Sequence, residues 1–179
     1  MKLDLKKLAK RRTVREYLTW GIIIALGIAI DQFTKWLAAV YLKPVVDVPI
    51  IDGVLHLRFH LNSGAAWGML EDAPYVFNTL SVIIIIGMSF YLFLGHTTSR
   101  LGAIASAMII SGGVGNMIDR VLYGEVTDFI YFKLINFPIF NGADSFVCVG
   151  AGLLVLALVL EIIKEEREKK ANGKNTGTT

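Results

Sequence analysis

The sequence predicts an all-α membrane protein: four transmembrane helices, with a small extracytoplasmic β-sheet and an interfacial segment on the outer face. Three observations carry this reading. Hydrophobic residues make up 54% of the 179-residue chain and charged residues 18%, with a mean hydropathy of +0.57, whereas a soluble domain carries about 25% charged residues. The charges are unevenly spread, with nearly uncharged stretches lying between charge-rich ends. Four of those stretches, residues 17–42, 75–95, 101–119 and 144–163, approach the roughly 20 mostly apolar residues that a helix needs to cross a bilayer. The chain reads as one integral membrane domain.

The first span follows a basic segment, residues 1–16, and so resembles a signal peptide at its start. It runs on through Asp31, Gln32 and Lys35 without a clear small-residue cleavage site, and is read as an uncleaved anchor. A charge inside a span costs about 2.5–3.5 kcal/mol on insertion scales, so such residues are paired or functional. Asp31 and Lys35 are four residues apart, share a helical face and can pair.

The outer segment 43–74 contains a period-2 pattern, with Leu55, Leu57, Phe59 and Leu61 alternating with His56, Arg58 and His60, which predicts a half-buried strand. His56 and His60 would share a face with Arg58 between them and with no cysteine or carboxylate cluster alongside, so no metal is expected there. The strand runs into Asn62-Ser63-Gly64-Ala65-Ala66-Trp67, a turn signal followed by a tryptophan suited to the interface.

The second span leads through a short loop around His96–Arg100 to the third, which ends in Gly112-Gly113-Val114-Gly115-Asn116-Met117-Ile118-Asp119-Arg120. The glycines permit close helix approach. Asn116 lies three residues from Asp119 and four from Arg120, so all three fall on one face. A basic cap on a helix C-terminus would explain Arg120 but not the other two. The outer segment 120–143 mixes polar and aromatic residues, from Val126-Thr127-Asp128-Phe129 to Asn136-Phe137-Pro138, as an interfacial stretch does.

The fourth span opens with Phe140-Asn141-Gly142-Ala143-Asp144-Ser145. With Asn141 as N-cap, Asp144 falls at N3, where a carboxylate meets exposed amides and the helix dipole. Asp144, Cys148 and Gly152 form an i, i+4 stripe of small residues, along which another segment is expected to pack. Cys148 is the one cysteine, which excludes an intrachain disulfide, and it reads as a small buried hydrophobe. The polar tail after about Glu168, within the cytoplasmic segment 164–179, is expected to be disordered.

Orientation follows from lysine and arginine. Seven lie in residues 1–16, one at Arg100 and five after residue 163, against five on the other side (Lys35, Lys43, Arg58, Arg120 and Lys133), which accounts for all 18. The positive-inside rule then puts both termini in the cytoplasm. The same distribution argues against nucleic acid as a partner.

The outer-face residues restrict the chemistry. They include no nucleophilic cysteine, no histidine pair with metal-ligand partners, no phosphate-cradling loop and no serine with an obvious base. What they offer is carboxylates, Asp128 and Asp144. Two such groups can divide the work of peptide hydrolysis, one taking a proton from water while the other gives one to the carbonyl oxygen.

Four motifs occur in order: Asp31-x-x-Thr34-Lys35, Asn62-x-Gly64-Ala65-Ala66-Trp67, Gly115-Asn116-x-x-Asp119-Arg120 leading to Val126-Thr127-Asp128-Phe129, and Phe140-Asn141-x-Ala143-Asp144. Together, over about residues 17–163, they resemble the bacterial lipoprotein signal peptidases, or signal peptidase II. The resemblance implies an aspartic endopeptidase with a dyad at Asp128 and Asp144. Around the dyad and its substrate it implies Asp31, Lys35, Asn62, Gly64, Asn116, Asp119, Arg120, Asn141 and Ala143. The implied reaction removes the signal peptide of a prolipoprotein just before a diacylglyceryl-modified cysteine, at the outer face of the cytoplasmic membrane, with no cofactor or metal and no obligate protein partner. Trp67 and Thr127 depart from the family's commoner phenylalanine and aliphatic residue, and neither departure removes a titrating group. The competing reading, a small transporter or channel subunit, would spread polar residues through the membrane thickness, whereas spans two and four are polar-poor toward the cytoplasm.

Overall fold

The computed structural model describes residues 13–45, 47–64, 74–94 and 99–175, with backbone alone at 74, 75, 77 and 172–175. Residues 1–12, the Ala65-Ala66-Trp67 motif and the loop at 95–98 lie outside the described residues. Helix α1 (Val14–Leu37) starts at a capping box, in which Thr13 accepts from the Glu16 amide and the Glu16 carboxylate accepts from the Thr13 amide. It continues through a short π-helical segment, Ala38–Leu42. Strands β1 (Val48–Ile51) and β2 (Leu55–Asn62) are followed by α2 (Pro74–Phe93), α3 (Arg100–Tyr123), β3 (Val126–Phe132), a 3-10 turn (Lys133–Ile135) and α4 (Gly142–Asn175). Three of the described helices are long and apolar enough to cross a membrane, Val14–Leu42, Arg100–Tyr123 and Gly142–Ala171, while α2 carries a shorter apolar stretch, Asn78–Phe93.

The helices are apolar on the outside. Along α1, the exposed residues Leu18, Ile22, Leu26, Ile30 and Phe33 follow one stripe, while the buried stripe is Trp20, Gly27, Asp31 and Lys35. Lipid is as apolar as leucine, so burial selects small residues and paired polar ones. Helix α3 is the centre of the bundle, with Ala103, Ala105, Ala107, Ile109 and Ile110 among its buried residues. Trp20 of α1 and Leu92 of α2 pack on Ala103, Ala107 and Ile110.

The glycines of α3 bear out the expected close approach. A Cβ on Gly112 would run into the carbonyl oxygen of Ala143 on α4, and one on Gly115 would stand 2.5 Å from the Asp31 carboxylate on α1. The stripe of α4 that packs on α3 is Ala143, Val147 and Gly150, not the expected Asp144-Cys148-Gly152. Cys148 is exposed, and nothing lies within 4 Å of where a Gly152 side chain would begin. A helix that is apolar on every face carries no pattern to say which small residues turn inward.

Two helix ends also differ from expectation. Helix α3 runs past residue 119 to Tyr123, where Gly124 takes φ 82° and its amide bonds the Arg120 carbonyl, a left-handed C-cap that suits glycine. Helix α4 continues beyond 163 and through the polar tail to Asn175, in place of the disorder expected after Glu168. The tail is built from strong helix formers, and Lys164 lies 4.0 Å from Glu168 one turn on.

The second outer segment is not only interfacial: Val126–Phe132 is the third strand of an antiparallel sheet ordered β1-β2-β3. Leu57 pairs Ile130 but His60 pairs Asp128, so a bulge at Arg58–Phe59 breaks the alternation read from the sequence. The bulge puts Leu57, His60 and Asn62 on the face of Asp128 and turns His56 to the other. His56 is therefore buried against Asp47, at 2.8 Å, while Leu61 is exposed. Arg58 joins the same Asp47 oxygen at 3.2 Å and lies over the Tyr131 ring.

Candidate active site

Phe140 and Ile130 exchange hydrogen bonds in both directions, at 2.8 and 3.0 Å, which ties β3 to the residue before the N-cap of α4. Asn141, the next residue, is completely buried, and its side chain joins the two halves of the site. Its Oδ1 accepts from the Asp144 amide at 3.0 Å and the Asp144 carboxylate accepts from the Asn141 amide at 3.0 Å, so the expected cap is a reciprocal one. Its Nδ2 donates to Asp128 Oδ1 at 2.7 Å and to Asn116 Oδ1 at 3.0 Å.

Asp128 is 1% exposed. Its second oxygen accepts from Asn62 Nδ2 at 2.9 Å. Asn62 is held in turn by the Gly64 amide, which donates to its Oδ1 at 3.0 Å, and Arg120 donates to the Gly64 carbonyl at 3.3 Å. Burial, and next the negative charge of Asp144, push the Asp128 carboxyl up to about 7 against the opposing hydrogen bonds from Asn62 and Asn141. Asp144 accepts from Asn116 Nδ2 at 2.8 Å.

Below these carboxylates lies a buried ion cluster. Lys35, 4% exposed, donates to Asp31 at 2.8 Å, to Asp119 at 3.3 Å and to Asn116 Oδ1 at 2.8 Å. The free oxygen of Asp31 accepts from the Ala143 amide at 2.8 Å, capping α4 from a different helix. Asp119 accepts from the Thr127 amide at 3.1 Å and so anchors the start of β3. Removing one partner from a buried pair of this kind costs about 3–5 kcal/mol.

Every described residue singled out in the sequence as a candidate site residue falls within this one network: Asp31, Lys35, Asn62, Gly64, Asn116, Asp119, Arg120, Asp128, Asn141, Ala143 and Asp144. Asn116 and Asp119 meet on Lys35, as a shared face allows, while Asn116 also reaches Asp144 of α4 and Arg120 the Asn62-Gly64 turn. Gln32 was missed. Its Nε2 reaches Asp31 at 3.2 Å, Asp119 at 2.9 Å and the Gly115 carbonyl at 3.1 Å. An uncharged amide at membrane depth beside Asp31 was the available signal. Among the described residues, no three histidine, cysteine or acidic side chains gather as a metal site would require.

The family model described as Signal peptidase (SPase) II matches residues 23–160, which contain the whole network. The "Lipoprotein signal peptidase" of Halalkalibacterium halodurans is 41% identical over 152 residues, covering 84% of this chain and 97% of that protein. Two solved structures of bacterial membrane enzymes, determined by the in meso method, are each 34% identical to this chain. The one at 2.3 Å resolution has a TM-score of 0.73 and covers 80% of this chain and 89% of its own. The one at 1.9 Å has a TM-score of 0.69, with 78% and 92% covered. Sequence, fold and the span of the match agree, and the chain belongs to the signal peptidase II family.

Proposed function

We propose that this protein removes signal peptides from prolipoproteins, cleaving before the diacylglyceryl-modified cysteine, and that it does so as an aspartic endopeptidase with Asp128 and Asp144 as its dyad. The observation that carries the reading is the Asn141 side chain, which caps the helix of one aspartate while donating to the carboxylate of the other. Asp144 takes a proton from water as the water oxygen attacks the scissile carbonyl, and Asp128 gives its proton to the carbonyl oxygen. On collapse, the C–N bond breaks, Asp144 returns the proton to the leaving amine and Asp128 recovers its own from the hydroxyl. The order of roles rests on Asp128, whose buried carboxyl keeps a proton to about pH 7. Apolar helices serve such a substrate, because its signal helix and acyl chains stay in lipid while the scissile bond needs water. Helix α2 completes the set of four spans in this reading.

The direct test is incubation of the purified protein in detergent with a diacylglyceryl-modified prolipoprotein, followed by detection of the released peptide; absence of cleavage overturns the reading. A proton donor that titrates near 7 gives kcat/KM a basic limb there, with activity falling as pH rises through it. The limb belongs to the pair. Flat activity from pH 6 to 9 would remove Asp128 as the donor.

The lysine and arginine distribution supports cytoplasmic termini and an outer-face site in the cytoplasmic membrane. In a Cys148→Ala background, Tyr123→Cys is expected to react with an impermeant maleimide added to intact cells, and Ser99→Cys only after permeabilisation. The reverse pattern would invert the topology and move the site to the cytoplasm.

A further inference from the structure

The reaction scheme leaves Lys35 without a part, yet its ammonium is the buried cation nearest the middle of the network. An ammonium has three hydrogens. Here three acceptors surround it, Asp31 at 2.8 Å, Asp119 at 3.3 Å and Asn116 Oδ1 at 2.8 Å, and the side chain is 4% exposed. No N–H remains to meet a substrate.

The third of those bonds bears on the site. The carboxamide of Asn116 has an acceptor end and a donor end, and its acceptor end is taken twice, by Lys35 and by Asn141 Nδ2. Its donor end therefore faces Asp144, at 2.8 Å. Turning the amide over would oppose its N–H₂ to two donors and its oxygen to a carboxylate. Each such buried mismatch costs about 1–3 kcal/mol, so the reversed orientation is not populated.

We propose that Lys35 is a positioning residue for cleavage: by holding the side-chain oxygen of Asn116, it obliges Asn116 to present an N–H to Asp144, and it does not itself touch the substrate. The inference rests on the proposed role of Asp144. The two carboxylates that fix the ammonium are the ones that also hold the elements carrying the dyad, Asp31 through the Ala143 amide of α4 and Asp119 through the Thr127 amide of β3. Lys35 thus stands at a fixed point relative to both aspartates.

A double-mutant cycle tests this. Lys35→Met and Asn116→Ala are each expected to lower kcat about 100-fold with KM within about twofold, and the double variant to lie within about threefold of the worse single one. A KM that rises with kcat unchanged would mean substrate contact, and losses that multiply would mean that Lys35 acts through its charge alone; either overturns the proposal. Lys35→Met strips Asp31 and Asp119 of their counter-ion, so the cycle is repeated with Lys35→Gln, which keeps an N–H donor. Glutamine is expected to recover about tenfold of the lost kcat when Asn116 is present and none in Asn116→Ala. Equal kcat for Lys35→Gln and Lys35→Met, or additivity of Lys35→Gln with Asn116→Ala, also overturns it. A wild-type protein that does not cleave a prolipoprotein sinks the proposed function, whereas a wild type that cleaves while its variants add sinks only the role of Lys35.

Discussion

Asp128→Asn and Asp144→Asn are each expected to lower turnover at least about 10³-fold, because an amide keeps the shape of a carboxyl but neither accepts nor returns a proton. The folded state should survive both changes. Both oxygens of Asp128 accept from amide N–H₂ groups, those of Asn62 and Asn141, so an asparagine there must set one donor against another, at about 1–3 kcal/mol. It also removes a carboxyl whose ionised form burial disfavours, which acts in the opposite direction. At Asp144, one oxygen accepts from the Asn141 amide and the other from Asn116 Nδ2, so asparagine keeps the first bond and sets its own N–H₂ against that of Asn116, at a similar cost. The check is turnover of purified variants alongside their melting temperatures in the same detergent. Near-normal turnover in either variant would exclude that residue from the dyad; lost turnover with a collapsed melting transition would call for the milder Asp→Glu change before any role is assigned.

Asn141→Ala is expected to damage both stability and activity, since the Asn141 side chain bonds β3, α3 and the first turn of α4 at once. It would remove the cap on the Asp144 amide, worth about 1 kcal/mol, and leave Asp128 Oδ1 without its 2.7 Å donor in a buried place. Turnover should fall about 100-fold or more. Asn141→Ser separates the two effects, because serine is as good an N-cap as asparagine but has no amide to reach Asp128. Its melting temperature should return most of the way to wild type while its turnover stays low. Recovery of turnover in Asn141→Ser would mean that the cap, and not the link to Asp128, is what the reaction needs.

Sequence reasoning reached what is local along the chain. The Asp31–Lys35 pair follows from one helical turn, and the Asn141–Asp144 cap follows from N-cap-to-N3 spacing; both are present at hydrogen-bond distance. Contacts that depend on how a helix is rotated were not legible. Small residues occur on more than one face of α4, and only packing against Gly112 selects Ala143 and Val147 over Cys148. The bulge in β2 was invisible for a related reason: the alternation from Leu55 to Leu61 is intact in the sequence, and one extra residue at Arg58–Phe59 reverses which side faces Asp128. Asp47 had no partner within a turn to mark it, and Gln32 none beyond its neighbour Asp31, so the bonds to His56 and to Asp119 were found only in three dimensions.

The bond from the Ala143 amide to Asp31 joins positions 112 residues apart, and that separation has a meaning for biogenesis. Ribosomes deliver α1 to the membrane first and α4 last, so Asp31 and Lys35 pair with one another at the start and are joined by Asp119 and Asn116 only when α3 follows. The setting of Asp144 is completed when the last helix enters and finds its amide acceptor already in place. On the proposed dyad, a nascent chain halted after β3 holds Asp128 but lacks Asp144, so cleavage is expected only after synthesis has passed α4.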